Sequence, residues 1–195
     1  MTDDALRGGR TFFRDALIVL ADASRRLEEA GVARPVLVGG AAVEFYTASH
    51  FVSGDFDIVI PSQAKLEAVL REMGFETPRD GTRGLHHYAK NIGVEVVGSR
   101  LLDGAGSIDH ISQVEFEPGF CVDFIGVEDL IADRVAQADA TSRLDRERLA
   151  QAIVLFKMLA DKIDRPYLCK QIREQAPGRS LEWFEAEVDA FSGKF

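Results

Sequence analysis

Val36-Leu37-Val38-Gly39-Gly40 is an apolar run that ends in a glycine pair. Fourteen residues later, Asp55-Phe56-Asp57-Ile58-Val59-Ile60 opens a second apolar run with two carboxylates one residue apart. On a β-strand alternate residues share a face, so Asp55 and Asp57 project together while Phe56 and Ile58 face a core. Two carboxylates held side by side repel each other and raise each other's pKa unless a cation lies between them. Such a pair at a strand edge suits Mg²⁺, a hard cation that prefers carboxylate and phosphate oxygens. The glycine pair lets backbone come close to a phosphate, at the start of a helix whose N-terminal amides favour anions. Triphosphate at the glycines and metal at the aspartates is the layout of a nucleotidyl-transfer site.

The Gly39-Gly40 … Asp55-x-Asp57 pattern resembles the signature of the polymerase-β-like nucleotidyltransferase superfamily. Its members include antibiotic nucleotidyltransferases, CCA-adding enzymes and small bacterial abortive-infection and toxin nucleotidyltransferases. In that family a third carboxylate comes from a later strand, embedded in apolar residues. Ile92-Gly93-Val94-Glu95-Val96-Val97 fits, with Glu95 as the third ligand. The resemblance spans residues 35–99 by motif, and Val127-Glu128-Asp129-Leu130-Ile131 resembles the start of the family's helix after the sheet. Two departures stand out. The gap between the glycines and Asp55 is at the long end, and Gly40 takes the place of a serine that usually helps hold the triphosphate.

The resemblance implies an α/β (α+β) fold, a mixed β-sheet flanked by helices with a C-terminal helical segment. It implies Mg²⁺, as two ions, at Asp55, Asp57 and Glu95, and an NTP such as ATP at Gly39 and Gly40. Ser53, two residues before Asp55, either binds phosphate through its hydroxyl or caps its own loop. The implied reaction moves a nucleoside monophosphate from the NTP to an acceptor hydroxyl on tRNA, protein or a small molecule. Glu95 would help remove the acceptor's proton. The short helical tail resembles toxin or defence enzymes, which would bring a cognate antitoxin as partner, as much as antibiotic-modifying ones. A rival reading is a catalytically silent module of the same fold that binds nucleotide or a partner protein. Within the site, Asp123 in Phe120-Cys121-Val122-Asp123-Phe124-Ile125 competes with Glu95; its position before the next helix also suits a cap on helix amides.

At 195 residues the chain is long enough for one well-buried domain or a core with a helical appendage. With 46% hydrophobic and 28% charged residues it reads as a folded globular protein, not a disordered one. No apolar run approaches the length of a membrane span, and Met1-Thr2-Asp3-Asp4 is acidic, unlike a secretion signal; a cytoplasmic location is the expectation. A net charge of −9 weighs against broad nucleic-acid binding. The balance is uneven: residues 1–125 hold 12 Lys and Arg against 19 Asp and Glu, and residues 126–195 hold 11 against 13. Cys121 and Cys169 lack metal spacing and read as free thiols.

Periodicity predicts helices over 11–30, 40–49 and 62–73, and strands at 35–38, 55–60, 85–90, 92–97, 110–117 and 120–125. Asp103-Gly104-Ala105-Gly106-Ser107 reads as the most flexible loop. From Val127 onward strand-like residues thin out, and helices are expected over 128–140, 145–159, 165–175 and 181–191. The division is therefore an α/β core, 1–125, and a helical subdomain, 126–195, with its packing left open. His86-His87-Tyr88 reads as an edge-strand surface pair rather than a catalytic one, because no nucleophile or ligand adjoins it. Trp183 reads as packing.

Overall fold

The computed structural model describes residues 11–140 and 143–192; the acidic N-terminal stretch lies outside them. Helix α1 (Thr11–Glu29) buries Phe13, Leu17, Leu20, Ala21 and Leu27 on one side, and on the other Asp22 pairs with Arg25 and Arg26. Strand β1 (Val36–Val38) turns at Gly39 into α2 (Gly39–Tyr46), and the chain returns antiparallel as β2 (Asp55–Val59). Helix α3 (Gln63–Glu72) follows and buries Leu66 and Leu70. Strands β3 (Leu85–His87) and β4 (Ile92–Gly98) form one antiparallel pair, and β5 (Ser112–Glu117) with β6 (Phe120–Phe124) another.

The six strands lie in the order β3-β4-β2-β1-β6-β5. Parallel pairing of β2 with β4 and of β1 with β6 makes the sheet mixed. One face carries Leu37, Phe56, Ile58, Val94, Val122 and Phe124, all buried. Phe13 of α1 stacks on Phe56 at 5.7 Å and Phe45 of α2 stacks on Phe124 at 3.9 Å. These contacts commit the apolar residues to the helices, so the alternate residues Asp55, Asp57, Glu95 and Asp123 must face the other way.

Four α-helices follow among the described residues: α4 (Val127–Asp139), α5 (Arg146–Met158), α6 (Arg165–Gln175) and α7 (Leu181–Ala190). The side chains of Asp145, Asp164 and Ser180 accept hydrogen bonds from the first-turn amides of α5, α6 and α7, which is why each starts where it does. Helix α4 packs on α5 and α6 and also on α2, and one hydrophobic core runs from Phe13 to Val188. Among the described residues no helix is long and apolar enough to cross a membrane.

Two local expectations change. Strand β3 stops at His87 instead of Lys90, because residues 88–91 are used in the turn, with Asn91 left-handed (φ 53). The loop expected to be most flexible is held by the tail. The Tyr167 hydroxyl donates to Asp129 (2.8 Å) and accepts from the Ser107 N–H (3.1 Å), while Gln171 donates to the Ala105 carbonyl (2.9 Å). Burial and the adjacent carboxylate push the Tyr167 hydroxyl up to about 12, so it stays protonated and able to donate. Those partners sit far downstream in sequence, outside any local pattern.

Candidate active site

Three cross-strand rows make the face left free by α1 and α2. In the first, Asp55 pairs with Gly93 of β4, which pairs with His86 of β3. In the second, Val38, Asp57 and Glu95 are neighbours. In the third, Asp123 pairs with Val36, Val36 with Val59, and Val59 with Gly98. Neighbouring strands lie roughly 5 Å apart, so Asp57 and Glu95 stand side by side and Asp55 stands two residues along the same strand. Register decides this: a slip of β4 by one residue would turn Glu95 onto the helix face.

Bare backbone makes room for the carboxylates. Gly39 is left-handed (φ +65), and a Cβ there would collide with the Asp57 carboxylate. A Cβ at Gly93 would collide with the Asp55 carboxylate and lie 3.5 Å from His86 Nδ1. His86 therefore belongs to the carboxylate face, a neighbourhood that its place beside His87 and Tyr88 in sequence does not reveal. His87, by contrast, packs edge-on against Phe75.

The loop leading to Asp55 is tied to α2. Glu44, fully buried on that helix, accepts from the Ser53 N–H at 2.6 Å and from the Ser49 hydroxyl at 3.4 Å. The Ser53 hydroxyl donates to the Asp55 carbonyl at 3.0 Å, and a Cβ at Gly40 would come 2.9 Å from its oxygen. Ser53 thus caps its own loop, directly over the glycine pair.

Electrostatics mark Asp57. Burial pushes its pKa above the ordinary carboxylate value, and the charges of Glu95, Asp55 and Asp133 push the same way; Arg134 of α4 opposes them. Arg134 is itself buried and ion-paired with Asp133. Asp123 has a different occupation. Its carboxylate accepts from Arg34 Nε at 3.1 Å and from Gln113 Nε2 at 3.0 Å, across β1 from the aspartate pair. It does not cap α4, whose N-cap is Gly126.

Among the described residues no three His, Cys, Asp or Glu side chains come together as a ready metal cluster. The donor chemistry of Asp55, Asp57 and Glu95, all carboxylate oxygens on one face with raised mutual repulsion, fits a hard divalent cation. Sequence reasoning missed Glu44, Gly93, His86 and Arg134 as parts of this region. Glu44 carried a readable signal, a lone acid in the apolar run Ala41-Ala42-Val43-Glu44-Phe45-Tyr46. Arg134 carried none, because only the packing of α4 brings it near.

No protein-family model matches the chain, and no curated protein is similar to it in sequence. Solved structures do share its fold. An antigenic nucleotidyltransferase-like protein from Paracoccidioides brasiliensis superposes with a TM-score of 0.52 at 14% identity, over 90% of this chain and 93% of that one. The antibiotic-resistance factor ANT(2'')-Ia superposes in its solution structure at 0.50 and 14% identity, over 89% and 92% of the two chains. The same factor in complex with adenylyl-2''-tobramycin gives 0.50 and 15%, over 80% and 94%. The chain has the nucleotidyltransferase-like fold.

Two outcomes follow from this geometry. A raised pKa on Asp57 means that its ionised form opposes folding. The stability tied to the protonated acid is complete below the ordinary value near 3.9 and is lost as pH rises through the raised folded-state value. Without divalent metal, Asp57→Asn is expected to melt above the wild-type chain at neutral pH, by roughly 2–4 °C for each kcal/mol relieved. The gain should vanish as the buffer approaches about pH 4; a variant that melts lower at neutral pH contradicts the assignment. Asp123→Asn weakens a charge-assisted pair with Arg34 and should cost about 1–3 kcal/mol in urea unfolding, whereas an unchanged midpoint would free Asp123 for another role.

Proposed function

We propose that this chain is a divalent-metal-dependent nucleotidyltransferase that moves a nucleoside monophosphate from an NTP to an acceptor hydroxyl. One observation carries the reading: Asp57 and Glu95 share a cross-strand row with the Asp57 carboxylate lying against Gly39, the first residue of α2. Gly39 and Gly40 would receive the phosphates at the helix N-terminus, where amides and dipole favour anions. The acceptor oxygen forms a bond to the α-phosphorus, and the bond from that phosphorus to the bridging oxygen breaks. Pyrophosphate leaves with the electron pair, and the hydroxyl proton passes to Glu95. Asp55, Asp57 and Glu95 would hold Mg²⁺, which when bound neutralises the triphosphate and lowers the pKa of the attacking hydroxyl. Glu44 and Ser53 hold the loop that aims Asp55.

A second reading, a silent nucleotide- or partner-binding module, is favoured by the absence of a ready three-ligand cluster among the described residues. The two readings separate in one assay. Each α-labelled NTP is incubated with the chain, Mg²⁺ and cell extract, tRNA or tobramycin, the last because the related fold of ANT(2'')-Ia is complexed with adenylyl-2''-tobramycin. Labelled product identifies the acceptor class, and co-purification of a neutralising partner would mark a toxin with its antitoxin in the cytoplasm. Glu95→Gln should slow turnover about 100-fold or more while NTP affinity holds. Asp57→Asn should abolish it. NTP binding without label transfer under every condition selects the silent module, and full activity in Asp57→Asn removes the metal site from the proposal.

A further inference from the structure

The third row of the free face leads into a cavity of about 560 Å³. Its floor is the row Asp123–Val36–Val59, roughly 6.5 Å along the strands from Asp57 and Glu95. Val32, Leu101 and Ile111 add apolar wall. This size lies within the roughly 300–1,000 Å³ of small-molecule pockets, which are mostly apolar with a few placed polar groups. One side is formed by the segment after β4, where Leu102, Asp103 and Gly104 are all left-handed (φ 45, 53 and 102). Non-glycine residues hold that conformation only where the surroundings enforce it. Just beyond this segment, Tyr167 and Asp129 accept from the Ser107 N–H and Gln171 donates to the Ala105 carbonyl.

Charge around the cavity is unevenly spent. Asp123 receives Arg34 and Gln113, and both oxygens of Glu28 receive the other end of the Arg34 guanidinium. Among the described residues Arg34 is thus the one cation that serves both acids, Asp123 in the buried floor and Glu28 at the exposed rim. Arg100 is exposed at the cavity, lies 3.6 Å from where a Cβ of Gly104 would stand, and has no ion-pair partner among the described residues. An apolar floor with one uncommitted guanidinium at its edge selects a particular kind of ligand.

We propose that this cavity is a second small-molecule site that takes an amphipathic anion. An apolar ring system or short chain would lie on Val36 and Val59, and a carboxylate, sulfonate or phosphate would meet Arg100. The proposal is independent of the transfer reaction. Its test uses the full chain titrated with 8-anilinonaphthalene-1-sulfonate under native conditions, with decanoate as competitor. A single saturable fluorescence site displaced by decanoate is expected. Arg100→Glu should weaken it about tenfold or more, the loss of one charge-assisted contact. Ala33→Trp, at an exposed position lining the cavity, should abolish it while the melting temperature stays near wild type. Glu95→Gln should leave the titration unchanged. No saturable signal, or equal binding in both cavity variants, overturns the proposal.

Discussion

Parallel pairing of β2 with β4 sets Asp57 beside Glu95, and the candidate site is built around the cost of burying Asp57 and the repulsion this pairing adds. Two half-buried acids on adjacent strands oppose folding unless something compensates. Glycine supplies the space: at Gly39 and Gly93 the chain withholds side chains where the carboxylates of Asp57 and Asp55 lie. Arg134 supplies a distant positive charge, but its own pairing with Asp133 blunts it. The charge deficit at the centre of this face is what a cation and a triphosphate would satisfy together.

The tail is part of that arrangement. Helix α4 carries Arg134 toward Asp57 on one side and, through Asp129 with Tyr167, fixes the segment after β4 on the other. Asp129, Tyr167 and Arg134 each have a partner of stated chemistry here, as a low-dielectric interior favours. The carboxylate rows and the neighbouring cavity are thus both bounded by strands of the front half and braced by helices of the back half. That is the physical content of one core running through both.

Much of this was legible in the chain itself. Alternation in Asp55-Phe56-Asp57-Ile58 and in Val94-Glu95-Val96 gave the strands, and helical periodicity placed the starts of α5, α6 and α7 within about a residue. Sheet order was not legible, because it depends on which strands find each other across α1 and α2. The choice between Glu95 and Asp123 as neighbour of the aspartate pair lay in that order: both sit in apolar runs, but β4 flanks β2 whereas β6 lies beyond β1. Arg34, the partner that occupies Asp123, is 89 residues away in sequence. His86 shows the same limit. Its position on the carboxylate face follows from the β3–β4 register, which no local spacing encodes.

The central claim is that the Asp57–Glu95 row with Asp55 binds a divalent cation in front of the Gly39–Gly40 turn. Crystals soaked with Mn²⁺ and a non-hydrolysable ATP analogue test it most directly through anomalous difference density. The expected result is a manganese peak between the carboxylates of Asp57 and its neighbours, with triphosphate density running to the backbone of Gly39 and Gly40. Nucleotide density elsewhere on the chain, or full occupancy of the analogue with no manganese peak at these carboxylates, would contradict it.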